Sequence, residues 1–199
     1  MSPEEWLSAE MQGEIVALVH SHPGGLPWLS EADRRLQVQS DLPWWLVCRG
    51  AIHKFRCVLR LTVVRFELGV THCYTLFRDA YHLAEIEMPD FYRGDDWWRN
   101  GQNLYLDNME ATGFYRVALT EAQPGDVLLC CFGSSVPNHA AIYCGDGELL
   151  HHIPEQLSKR ERYTDKWQRR THSLWRHRAW RASAFTGIYN DLVAASTFV

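Results

Sequence analysis

The spacing of hydrophobic positions changes along the middle of the chain, from strand-like runs to a helical repeat. Residues 44–48 and 55–64 are apolar and β-prone, and Arg49-Gly50 is a turn signal beside the first run. From Thr71, apolar side chains recur at intervals of three and four, which predicts an amphipathic helix with Thr71 as its N-cap. The apolar positions are Tyr74, Phe77, Tyr81 and Ala84, and Pro89 ends the pattern.

The second half of the chain carries the pattern of antiparallel strands. A Pro-Gly-Asp turn at 124–126 precedes an apolar run at 127–132. Two further apolar runs, 139–144 and 148–152, flank a Gly-Asp-Gly turn and predict a hairpin. A helix followed by such strands indicates an α+β domain. The intervening residues 90–113, rich in Trp, Asp and Asn, are predicted to form a loop.

The N-terminal residues read as a smaller α/β segment. A helix is expected over residues 3–14 and a strand over residues 15–19, and Ser30 is placed to cap a second helix. The change in residue pattern near residues 60–70 predicts a domain boundary there. It divides the chain into domains 1–65 and 66–199.

Composition excludes several classes of protein. The chain has 199 residues, 46% hydrophobic and 22% charged, as in ordinary globular domains, so an intrinsically disordered chain is excluded. Its net charge of −4 offers no overall basic surface, so we expect no nucleic-acid partner. Residues 159–181 contain nine Lys or Arg against two Asp or Glu, interleaved with Trp. They predict either a binding surface for acidic groups or, as favoured, a solvated and partly helical face with its tryptophans turned inward.

The N-terminus predicts an intracellular protein. The acidic, polar start lacks the basic and apolar regions of a secretory signal. No run approaches the length of a membrane span. Six cysteines without a C-x-x-C pair are expected to be free thiols in a reducing host cytoplasm.

Two histidines and an aspartate lie at metal-ligand spacing near the N-terminus. His20 and His22 are two residues apart at a predicted strand end, so their side chains project to the same face. Asp33 on the next helix supplies a third ligand, which leaves the fourth tetrahedral position of a zinc ion for water. The hydroxyl of Ser30 is placed to donate to a developing oxyanion.

This stretch resembles the JAMM (MPN-type) metallopeptidase motif at every defined position: His20-Ser21-His22-Pro23, then Ser30, then Asp33. The resemblance implies that the two histidines and the aspartate bind zinc, that the serine assists the transition state, and that an isopeptide bond is cut. The family also uses an upstream glutamate as general acid and base. Here nineteen residues precede the first histidine and Glu14 is the nearest acid, so zinc binding is expected with or without metal catalysis.

A second set of residues suits nucleophilic catalysis. Cys73 lies where the central helix begins, a position at which the helix dipole favours a thiolate. With a three-residue hairpin loop, Cys144 pairs with Glu148, and His139 and His151 become diagonal neighbours on one face of the sheet. A base and a group that orients it would then lie together. A two-residue turn would place the two histidines on opposite faces.

These residues resemble the NlpC/P60 family of cell-wall cysteine peptidases over about residues 66–199. In that family a cysteine opens a helix packed on a small antiparallel sheet, as in papain-like folds. The base starts a strand of the form H-x-x-I-Y-x-G-x-G, which here begins at His139, and a third polar residue follows twelve positions later, here His151. The resemblance implies a Cys73 nucleophile and a murein peptide substrate. The residue before the nucleophile, commonly Asp in the family, is His72.

The order of the two motifs in one chain is similar to a family of tail assembly proteins of lambda-like bacteriophages. That resemblance implies tail tip proteins as partners, peptidoglycan peptides as possible substrates, and a location in the host cytoplasm or at the virion tail tip. Two further interpretations stay open: a non-catalytic assembly scaffold, and a zinc isopeptidase that processes a phage structural protein.

Overall fold

The computed structural model describes residues 2–94 and 96–196, which form a small sheet followed by a larger one. The elements of the N-terminal part are α1 (Pro3–Gln12), β1 (Leu18–Ser21), α2 (Glu31–Ser40), β2 (Trp44–Cys48) and β3 (Ala51–Phe55). The following elements are α3 (Cys73–Leu83), α4 (Leu104–Met109), β4 (Phe114–Val117), β5 (Val127–Cys130), β6 (His139–Gly145), β7 (Glu148–His151), β8 (Lys159–Arg162), α5 (Asp165–Gln168), β9 (Thr171–His177) and α6 (Phe185–Ser196). The predicted α+β class is confirmed.

The small sheet has the order β1-β2-β3, with β1 parallel to β2 and β3 antiparallel to it. The parallel pair is connected through α2, so the N-terminal segment has the α/β character expected from its pattern. Leu29, Trp44, Leu46 and Phe55 form its buried core.

The predicted strand over residues 55–64 is wrong. The Arg49-Gly50 turn has positive φ at both residues, as a two-residue hairpin turn requires, so the second strand starts at Ala51 and ends at Phe55. Beyond it, side chains of α2 replace a neighbouring strand. The Gln37 amide donates to the carbonyl oxygen of Phe55 at 3.1 Å, and Arg34 donates to that of Val58 at 3.3 Å.

The large sheet has six antiparallel strands in the order β4-β9-β5-β6-β7-β8. Helix α3 packs on one face of it, where Phe77 and Tyr81 share a buried cluster with Leu129 and Ile142. The stretch 90–113, predicted as loop, contains α4 and a 3₁₀ turn at Trp97–Asn100. Tyr105 and Met109 are the buried residues of α4, so packing stabilises a helix too short to form alone.

The hairpin β6–β7 has the predicted register away from its turn and a different one next to it. Ile142 pairs with Leu150, as a three-residue loop requires. At the turn Gly145, not Cys144, pairs with Glu148, and the register shifts between Tyr143 and Gly145. The turn is therefore tight, and a bulge at Cys144 restores the alternation of faces beyond it.

The basic segment, predicted to be partly helical, is mainly strand and has only one turn of helix. It forms β8 and β9 with the four-residue α5 between them, because pairing with β7, β4 and β5 outweighs weak local strand preference. Trp167 and Trp175 are buried, so the expected inward orientation of these two tryptophans is confirmed.

Helices α2 and α6 pack together and connect the N-terminal segment to the rest of the molecule. Arg34 and Asp191 form a fully buried ion pair across this contact, at 2.6 Å from Nη2 to Oδ1. The other carboxylate oxygen accepts from the backbone N–H of Leu61 at 2.8 Å. Within the described ranges, no helix has the length and apolar character needed to cross a bilayer.

Candidate active site and candidate metal centre

Cys73 is the first residue of α3, where the backbone N–H groups of the first turn have no partner within the helix. The predicted Thr71 N-cap is wrong. His72 caps the helix, and its Nδ1 accepts the backbone N–H of Tyr74 at 3.2 Å. Thr71 instead donates its hydroxyl to the carbonyl oxygen of Arg65 at 2.7 Å and so holds the preceding loop.

Tyr105 is a partner of Cys73 that sequence analysis missed. The thiol sulfur lies 3.3 Å from the phenol oxygen, and Tyr105 is buried. Burial raises the pKa of Tyr105 well above its usual value, with the neighbouring Cys73 adding to the effect, so the phenol stays protonated at neutral pH. Tyr105 lies in α4, within a stretch predicted to be loop, so no pattern in the sequence placed it beside Cys73.

His139 starts β6 and His151 ends β7, and the fold brings the two side chains together as predicted. Their ring centroids are 5.9 Å apart. Both are buried, and the indole ring of Trp167 lies 5.8 Å from the first ring and 4.6 Å from the second. The Nε2 atom of His151 lies 3.4 Å from a carboxylate oxygen of Glu161, a residue not predicted from the sequence.

Burial keeps both imidazoles neutral. It lowers the pKa of His139 to about 3, with the nearby His151 and His152 acting in the same direction. Burial also lowers the pKa of His151 to about 4, although the Glu161 carboxylate opposes the shift. A neutral imidazole with a free lone pair is the form that accepts a proton.

Cys73 and His139 line the same cavity, which has a volume of about 560 Å³. Most of its wall is aromatic or aliphatic, and the aromatic part is contributed by Phe66, Tyr74, Phe77, Phe91, Tyr92, Trp97, Trp98 and Tyr105. His151 is fully buried in the sheet, beside His139. The site therefore presents a thiol and an imidazole to a bound molecule, with a second imidazole packed against the first.

The predicted metal ligands also come together. One ligand atom each from His20, His22 and Asp33 lies within 4.8 Å of the others. Nε2 of His22 is 3.1 Å from Oδ2 of Asp33, and Nε2 of His20 is 3.5 Å from Oδ1.

The chemistry of these donors fits a cation. Nδ1 of His22 lies 3.1 Å from the carbonyl oxygen of Leu26 and so carries the ring proton, which leaves a lone pair on Nε2. That lone pair faces a carboxylate oxygen of Asp33, and a bound cation satisfies both acceptors. Two imidazoles and a carboxylate are zinc-type ligands.

Ser30 has a structural role in this centre. It is the N-cap of α2 in a capping box with Asp33, and its hydroxyl donates to the Asp33 carboxylate at 2.7 Å. The cap thus orients the carboxylate toward the histidines. Glu14 is exposed in the connection between α1 and β1.

Sequence comparison relates the chain to known proteins over its whole length. The NlpC/P60 family model matches residues 64–176. The chain is 91% identical, over all 199 residues of both proteins, to tail tip assembly protein K of Escherichia phage lambda. It is 32% identical over 187 residues to tail tip assembly protein K of Escherichia phage N15, covering 89% of this chain and 76% of that relative.

Two solved structures were also matched over part of the chain. A lipoprotein-like NLP/P60 family protein from Staphylococcus aureus gives a TM-score of 0.42 at 16% identity, covering 57% of this chain and 36% of that one. An NlpC/P60 family protein from Bacillus cereus gives a TM-score of 0.38 at 20% identity, covering 53% and 31%.

Proposed function

Because the chain belongs to the NlpC/P60 family, we propose that it is a cysteine endopeptidase acting in phage tail tip assembly or cell entry. The relationship to two tail tip assembly proteins, one of them matched over its full length, supports a tail role with tail tip proteins as partners. The observation that carries the enzymatic part is the common cavity of Cys73 and His139, with His151 packed behind the base.

In the proposed reaction, Cys73 adds through sulfur to an amide carbonyl carbon. The thiol proton passes to His139, which then gives it to the leaving amine as the amide C–N bond breaks. Water attacks the resulting thioester with the same imidazole as base. The C–S bond then breaks, the acid product leaves, and the imidazole returns the proton to the sulfur of Cys73. His151 holds the His139 ring in place, and the protonated phenol of Tyr105 donates toward the sulfur between steps.

The proposed substrates are peptides of the murein stem, with a tail protein as the other candidate. Zymography on purified murein tests this with the wild type, Cys73→Ala and a matched Cys131→Ala variant. Cys131 is partly buried and is not among the cavity-lining residues. We expect clearing by the wild type and the Cys131 variant but not by Cys73→Ala. Equal clearing by all three would rule out Cys73 as the nucleophile.

We also propose that His20, His22 and Asp33 bind zinc. When bound, zinc supplies Lewis acidity to a ligand at its open position. Elemental analysis of protein purified with added zinc should find about one equivalent in the wild type and a large loss in a His20→Ala, His22→Ala variant. A His172→Ala variant serves as the control, since that histidine belongs to β9. Equal metal content in all three proteins would contradict the site.

Chelation separates the two proposed chemistries. If Cys73 is the nucleophile, cleavage survives chelators and is lost on alkylation of Cys73. Cleavage that is lost on addition of chelators but survives alkylation of Cys73 would instead favour a zinc isopeptidase that processes a structural protein.

A non-catalytic scaffold is the remaining candidate. It is favoured by the full-length relationship to tail tip assembly proteins, which includes residues 1–63 outside the NlpC/P60 match. Complementation of a phage lacking this protein with a Cys73→Ala, His20→Ala double variant tests it. Normal tail assembly with stoichiometric incorporation of the variant would support the scaffold and exclude an essential peptidase.

A further inference from the structure

Arg93 places a positive charge in the cavity that contains Cys73. Its guanidinium lies over the Tyr74 ring at 4.5 Å, and Nη1 donates to the carbonyl oxygen of Phe91 at 2.7 Å. Nη2 donates to a carboxylate oxygen of Asp90 at 3.2 Å. These contacts fix the orientation of the guanidinium, so a ligand meets a preorganised group.

His72, the residue directly before Cys73, approaches Arg93 with a hydrogen-bond donor facing a donor. Nδ1 of His72 accepts the backbone N–H of Tyr74, so the proton of the neutral ring is on Nε2. This Nε2 lies 3.3 Å from Nη2 of Arg93, which carries only donor hydrogens. Two donors therefore converge in the cavity wall. Burial, with Arg93 acting in the same direction, lowers the pKa of His72 to about 4. The ring is therefore neutral at pH 7, and its single proton stays on Nε2.

The described acidic side chains nearby only partly neutralise Arg93. The Asp90 carboxylate is shared, because Arg78 also binds it, at 2.5 Å. Asp96, the other acid among the described residues of the cavity wall, pairs with Arg99 at 3.2 Å. Among the residues that the structure describes, three arginines thus face two carboxylates, and the largely apolar wall strengthens the remaining positive field at Arg93.

We infer that His72 and Arg93 together form a carboxylate-binding subsite of the cavity, next to Cys73. An oxygen of a substrate carboxylate accepts from both Nε2 of His72 and Nη2 of Arg93, and thereby removes the conflict between the two donors. The inference rests on the proposed function, since it assigns the substrate an acidic group near the bond that Cys73 attacks.

Peptide binding to the Cys73→Ala protein tests the subsite without cleavage. The probes are the murein peptide L-Ala-γ-D-Glu-meso-diaminopimelate and analogues with each carboxylate in turn converted to a carboxamide, measured by titration calorimetry. We expect one amide analogue to bind about tenfold more weakly than the acid, because a charge-assisted hydrogen bond is lost. In a Cys73→Ala, Arg93→Met background, that analogue and the acid should bind equally. Arg99→Met, at an exposed position in the neighbouring 3₁₀ turn, is the matched control and should keep the difference.

A second variant tests the subsite while Arg93 is kept, in case Arg93→Met disturbs the local structure. His72→Asp keeps a good helix N-cap and places a carboxylate against Arg93, so it should also abolish the discrimination between acid and amide. Unchanged discrimination in both variants would overturn the subsite while leaving the peptidase proposal intact. If peptide binding depends on Arg93 but the wild-type protein does not cleave murein, the peptidase proposal is contradicted and the carboxylate subsite is supported. Failure of every peptide to bind would contradict the subsite.

Discussion

At the scale of single residues, the candidate catalytic histidines are unusual in being buried and neutral. His139 is 4% exposed and its Nε2 has no hydrogen-bond partner among the described residues. His151 is fully buried against Trp167. Such groups favour folding only while they remain uncharged, because the interior solvates an imidazolium poorly.

The first prediction is a loss of stability in mild acid. The pKa of His139 is about 3 in the folded protein against the usual 6.5 of a solvated histidine, so the unfolded chain binds the extra proton. The contribution of neutral His139 to the free energy of unfolding is complete above pH ~6.5. It falls by up to about 1.4 kcal/mol per pH unit as the pH drops toward the pKa of His139 in the folded protein. The lowered pKa of His151 acts in the same direction. Urea unfolding at pH 7.5, 6 and 5 measures this, and His139→Asn should flatten the dependence. An identical slope in that variant would contradict the assignment.

At the scale of elements, α6 packs closely against the C-terminal end of α3. A Cβ added to Gly187 of α6 would meet the carbonyl oxygen of Leu83 at 2.0 Å and Cδ1 of Trp28 at 3.0 Å. The first contact is to backbone, which cannot rotate away. The close approach of the two helices therefore depends on a residue without a side chain.

The second prediction is that Gly187→Ala destabilises the protein. Alanine favours an isolated helix, but here it forces α6 away from α3, which we expect to cost about 1–3 kcal/mol. Gly24→Ala is the matched control, because its Cβ would meet nothing within 4 Å. Chemical denaturation measures both variants. A Gly187→Ala protein as stable as the Gly24→Ala protein would show that the helices can separate without cost.

At the scale of the whole molecule, a fully buried ion pair links the segment of the candidate metal centre to the rest of the chain. Arg34 of α2 binds Asp191 of α6 through Nε at 2.9 Å and Nη2 at 2.6 Å. The same arginine donates to the carbonyl oxygen of Val58 in the connection between the two sheets. Removal of one partner leaves the other charged group buried.

The third prediction is that Arg34→Met destabilises the molecule by about 3–5 kcal/mol and loosens the connection after β3. Arg35→Met is the control. Arg35 is the neighbouring position in α2 and pairs with Glu31 near the surface, where an ion pair contributes less than about 1 kcal/mol. Denaturation gives the free energies, and limited proteolysis reports cleavage within residues 56–72. Equal behaviour of the two variants would mean that the ion pair does not connect the segments.

Local rules were sufficient for much of the fold because they act over a few residues. The helical repeat after Thr71 predicted α3, and the hairpin register placed His139 beside His151. The same rules were wrong where distant groups intervened. The strand predicted after Phe55 is replaced by backbone carbonyls bound to Arg34 and Gln37, and the basic segment became strands through pairing with β7, β4 and β5. The boundary at residue 65 stays a prediction.

The sequence by itself determined the reactive groups: a cysteine at a helix start, two histidines on one sheet face, and three metal-type ligands around a capping box. These follow from periodicity, turn chemistry and caps, which adjacent residues decide. Only the tertiary structure decided what surrounds them. Tyr105 reaches Cys73 from 32 residues away, and Arg93 meets His72 from 21 residues away. Such contacts depend on how the elements pack, and no spacing within a single element specifies them.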